Sequence, residues 1–133
     1  MERAVEVFAV IHFGIVGLSH LTRPRAWADF FIWLHARGHA GVFVHGFLSL
    51  GFGSVVVAFH NVWTGIPITL TVVGYLYLVK AALCFLLPET QMRTLGRVSH
   101  ERAWELRLPG AVFIGLGGLL AYSLWLAQPV LPR

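Results

Sequence analysis

AGVFVHGFLSLGFGSVVVAFHNVW, residues Ala40–Trp63, is the stretch whose reading decides the fold. It holds no Asp, Glu, Lys or Arg, and its ionisable side chains are His45 and His60 alone. A soluble helix of this length would show a polar face, whereas a bilayer-crossing helix needs roughly 20 mostly apolar residues. Comparable runs lie on either side. The first covers about Val5 to Leu21, the third Ile66 to Leu87 and the fourth Gly110 to Ala127. In hydrocarbon each must be helical, because only internal hydrogen bonds satisfy the backbone there. The composition agrees: of 133 residues 57% are hydrophobic and 12% charged, against about a quarter charged in a soluble domain. Mean hydropathy is +0.74. So short a chain cannot hide that much apolar surface in its own core, which excludes a free-standing soluble enzyme and a disordered tail. The lone Cys84 excludes a disulfide scaffold. The expected fold is all-α, one domain over 1–133: four membrane helices with one or two interfacial amphipathic helices.

The basic residues orient the bundle. Arg23, Arg25 and Arg37 follow the first span, and Arg93, Arg97, Arg102 and Arg107 follow the third. The connection near Asn61–Pro67 has none, and the termini carry only Arg3 and Arg133. By the positive-inside rule both basic segments are cytoplasmic and both termini outside, in a bacterial inner membrane. The flank Met1-Glu2-Arg3 and the absence of a small-residue cleavage site after Leu18 argue against a signal peptide. Arginines flanking spans also account for a pI near 10 without any nucleic acid.

From Pro24 to Arg37, Trp27, Phe30, Phe31 and Leu34 recur at helical spacing, with Pro24 suited to a first turn and Gly38 to the position just past the end. An interfacial helix is expected there. A second short one is expected after Ser99, anchored by Trp104 and Leu108.

Ionisable residues at membrane depth are costly and are the natural functional candidates. Helical rise puts His12 near the midplane and Lys80, the single lysine, just to its cytoplasmic side. His20, His45 and Cys84 fall at one level about 10 Å below the midplane. Two imidazoles and a thiolate suit zinc or copper, and two facing histidines suit haem iron; otherwise no cofactor is implied. Lys80 has no carboxylate nearby in any span, since Glu6 and Glu89 read as belonging to helix ends. Either it snorkels to the headgroups, or it lines a polar cavity with His12, Tyr75 and Tyr77. Gly46, Ser49 and Gly53 form a small-residue seam that favours close helix packing, within the chain or between copies. His60, Asn61 and Trp63 form the exterior rim, capping a helix end and bonding headgroups.

No nucleophile elbow, phosphate loop or zinc-protease motif is present. The sequence Phe59-His60-Asn61-Val62-Trp63, then Leu70-Thr71-Val72-Val73-Gly74-Tyr75, Lys80-Ala81 and Pro88 resembles a pattern in small uncharacterised bacterial integral membrane proteins of about this length. The likeness covers about a third of the chain and departs at Tyr75 and Ala81, where tryptophan and glycine are expected. It implies that Lys80 and His60–Trp63 belong to a shared pattern and implies no activity. The expected function is a non-catalytic accessory or structural subunit of a larger or homo-oligomeric membrane assembly, its partners being the bilayer and other membrane subunits. The alternatives are a small transporter or channel with His12 and Lys80 along a polar path, and a haem or metal redox component using His20 and His45.

Overall fold

The computed structural model describes residues 1–127, whose regular structure is all helical, without strands among them. Arg133, counted above among the terminal arginines, lies outside the described residues. The long helices are α1 (Glu2–Thr22), α3 (His39–Phe59), α4 (Ile68–Leu86) and α6 (Arg107–Leu126). All four are long and apolar enough to cross a membrane. They turn large apolar side chains outward: Ile15 is 67% exposed, Phe47 64% and Leu76 61%. In water such faces would drive association; against lipid chains they are at home.

Two antiparallel pairs make up the bundle. In one, α1 lies along α6, where Gly17 and Gly110 let the backbones touch: a Cβ on Gly17 would fall 2.9 Å from the Gly110 carbonyl oxygen. In the other, α3 lies along α4 over Gly53 and Gly74, where a Cβ on Gly53 would fall 3.0 Å from the Gly74 oxygen. The Gly46–Ser49–Gly53 seam is thus filled inside the chain, with Cys84 and Phe85 against Gly46 and Leu78 against Gly53. Of the two partners the spacing allows, the helix that fills this seam belongs to the same chain. The pairs meet over Val5, Ala9, Phe13, Phe52, Val56, Leu70 and Leu120. Within that core the Phe13 ring stacks on Phe113 at 5.4 Å and meets Phe52 at 5.5 Å.

At the arginine-rich end, α2 (Pro24–Ala36) and α5 (Pro88–Leu95) lie against the bundle through Leu34, Val42, Cys84 and Leu95. Gly38 follows α2 with φ 62°, a left-handed conformation that glycine adopts without steric cost. A carbon branch on Gly41 would overlap the Leu34 carbonyl oxygen, so the α2–α3 corner needs glycine there too. The region after Ser99 forms only a 3₁₀ turn, Ala103–Leu106, rather than the expected helix. The second peripheral helix is α5 instead. Pro88 opens it: Leu87, restricted by the proline that follows, leaves the helical region at φ −131° and ends α4. Three span limits also move. Helix α3 stops at Phe59 rather than Trp63, α1 starts at Glu2, and α6 starts at Arg107 with Pro109 in its first turn, where its missing N–H costs nothing.

Candidate functional site

Two groups of polar side chains occupy opposite ends of the bundle. Away from the arginines, Glu6 of α1, His60 at the end of α3 and Thr71 of α4 form a buried network. His60 Nε2 lies 3.1 Å from a Glu6 carboxylate oxygen, and His60 Nδ1 lies 3.3 Å from Thr71 Oγ1. The Thr71 hydroxyl donates to the Val62 carbonyl at 2.7 Å and accepts from the Val62 N–H at 3.1 Å. His60 is wholly buried, which corrects its placement on an exterior rim among headgroups. Its side chain turns inward because Glu6 shares the buried face of α1 with Ala9 and Phe13, three and seven residues on. Asn61 and Trp63 are exposed and joined by a 2.9 Å bond from the indole N–H to the Asn61 oxygen.

Sequence reasoning left this network out because it treated Glu6 as part of a helix end. The overlooked signal is periodicity: Glu6 sits on the same stripe as the first helix's core residues.

Towards the arginine-rich end, the two helix pairs diverge around a cavity of about 460 Å³. Helix α1 contributes His12 and His20, α3 contributes His45 and Ser49, and α4 contributes Tyr77 and Lys80. Phe52 and Phe113 close it towards the packed core, while Trp27, Phe30 and Phe31 of α2 form its floor. The His12 ring packs 4.7 Å from Phe52, and the His45 ring 5.7 Å from Phe31. His20 is held on both sides. Its Nδ1 donates to the Val16 carbonyl at 2.9 Å, and its ring stacks on Trp27 at 3.9 Å. Trp27 is itself fixed by a 3.0 Å bond from its indole N–H to Ser19 Oγ. The amphipathic helix α2 is therefore a wall of the site as well as a surface element.

Lys80 Nζ lies 5.8 Å from the centre of the Tyr77 ring, within range of a cation–π contact. No carboxylate pairs with it among the described residues. The structure thus gathers His12, His20, His45, Tyr77 and Lys80 around one space. Tyr75 is not among them; it faces outward, 5.8 Å from Trp63. Nor does Cys84 line the cavity, because its side chain is buried against Gly46 between α3 and α4. Among the described residues no three His, Cys, Asp or Glu side chains are grouped to hold a metal ion. Donors without acidic partners, on apolar walls, can take a ligand that carries hydrogen-bond acceptors and an apolar body. Comparison with protein-family models, curated proteins and solved structures finds no match for this chain.

Proposed function

We propose that this chain is a non-catalytic, four-span membrane protein that binds a small molecule from the lipid phase in the His12–His45–Lys80 cavity. The arginine-rich end, with α2 and α5, faces the cytoplasm of a bacterial inner membrane in this reading. The observation that carries it is Lys80, which faces a shared space with three imidazoles and no acid among the described residues. A lysine at the centre of a membrane helix costs about 3 kcal/mol on insertion scales. A fold that keeps one without an internal counter-charge gains from it elsewhere. The cavity volume lies in the range of small-molecule sites, about 300–1,000 Å³. A through-channel has less support, because the polar lining ends at Phe52 and Phe113 and the packed core continues beyond.

Native mass determination of the protein ejected from its own membrane tests the reading. The expected result is a bound small molecule that is lost when Val16→Trp fills the cavity. An empty wild-type protein would refute it. A haem-type absorbance band would instead assign His20 and His45 to an iron.

One observation favours the accessory-subunit role as a second reading. Helix α6 buries the smallest share of its length of the four, and Gly115 and Gly118 face open space. A neighbouring helix could approach closely there. Co-purification at fixed stoichiometry in a larger particle would support this role, and a solitary chain in mild detergent would count against it.

A further inference from the structure

We infer that the cavity selects a lipophilic monoanion, a carboxylate on an apolar body such as a long-chain fatty acid, with its head paired to the Lys80 ammonium. The inference rests on the cavity-binding reading above and adds the ligand's class and charge. Charge balance comes first. Lys80 is the one strongly basic group of the lining; the other ionisable side chains there are His12, His20, His45 and Tyr77, and no carboxylate among the described residues lines the space. A bound monoanion brings the site to neutrality. A neutral ligand leaves an ammonium without a partner in a low-dielectric setting, which is costly.

Depth narrows the choice. Lys80 lies six residues before the end of α4 at Leu86, which is roughly 9 Å of helix. A phospholipid phosphate stays in the headgroup layer, where Arg23, Arg25 and Arg107 already offer cations. A carboxylic acid can descend as the neutral acid and pass its proton to the Lys80 amine on arrival, so that carboxylate and ammonium form together where they pair. The apolar body then rests among Val16, Leu48, Phe52 and Phe113. Leu48, at the rim, is 59% exposed on a helix face suited to lipid, which leaves room for a chain longer than the cavity.

The test uses the full chain in lipid nanodiscs, with dibrominated stearic acid and its methyl ester as probes. Bromine quenches nearby tryptophan, and Trp27 lines the cavity. The acid is expected to give saturable quenching that Trp27→Phe removes, with the ester at least about tenfold weaker, as for loss of one charge-assisted contact. Lys80→Gln is expected to weaken the acid by a similar factor and to abolish the preference for acid over ester, while Lys80→Arg retains both. Equal binding of acid and ester, or of the acid to wild type and Lys80→Gln, would overturn the anion assignment and leave cavity binding standing. Absence of saturable quenching by either probe would overturn this inference, with the cavity reading then judged by the mass of the native protein. The acid–ester comparison on the wild-type chain needs no variant, so a misfolded variant cannot obscure it.

Discussion

The two ends of the same four helices treat polar side chains in opposite ways. Away from the arginines, Glu6, His60 and Thr71 satisfy one another inside a closed core. Towards the arginines, His12, His45 and Lys80 point into a space and have no acidic partner among the described residues. Buried polar groups that bond each other hold helices in register; groups that face an open cavity are left for something else to bond. The first end is architecture. The second is the cavity to which the proposed ligand is assigned, and its floor is α2.

Substitutions can break or sharpen that contrast. The largest effect is expected in the packed half. A Cβ at Gly74 would come within 2.5 Å of Val56 Cγ1, so Gly74→Leu should part α3 from α4 and lower unfolding stability by roughly 3 kcal/mol. Val16→Trp, directed into the cavity, should cost about 1 kcal/mol or less; equal losses for the two would erase the distinction between the halves. Next comes Glu6→Leu, which leaves His60 buried without its carboxylate. A loss of about 1–3 kcal/mol is expected in detergent unfolding. Adding His60→Phe should recover most of it, since replacing both partners by apolar groups is close to neutral. If the double variant is no better than the single one, the network is not a pairwise clasp. The smallest effect belongs to Gly118→Ala, where a Cβ meets nothing. Stability should stay within about 0.5 kcal/mol, and an unchanged oligomeric state would show that α6 faces lipid there. A shift in assembly size would show a partner helix on that face.

Much of this was legible in the sequence, for physical reasons that can be named. The spans follow from hydropathy, which records a local requirement of the chain. Pro24 and Gly38 bracket α2 because their backbone preferences act one residue at a time. Helical rise puts His12 near Lys80 and His20 near His45 as two separate groups, because antiparallel helices share one depth scale; that both line a single cavity is seen only in the structure. Rotation about each helix axis was out of reach. Depth alone placed Cys84 with His20 and His45, but its side chain turns to Gly46. Depth also placed His60 at a surface, where a 3.1 Å bond to Glu6 draws it inside. Helix α5 was missed because an eight-residue polar segment carries no span-like signal, although Pro88 marked its start.

The contrast between the two ends turns most directly on the unfolding stability of Lys80→Met, with bound mass measured on the same sample. Compared with wild type stripped of its ligand, since a bound ligand itself adds stability, Lys80→Met should be unchanged or up to about 1 kcal/mol more stable if Lys80 serves a ligand, and the bound molecule should be lost or strongly depleted. A stability loss of about 2 kcal/mol or more, of the size seen when one partner of a buried pair is removed, with the bound molecule retained, would show that Lys80 holds the fold together and would contradict the account.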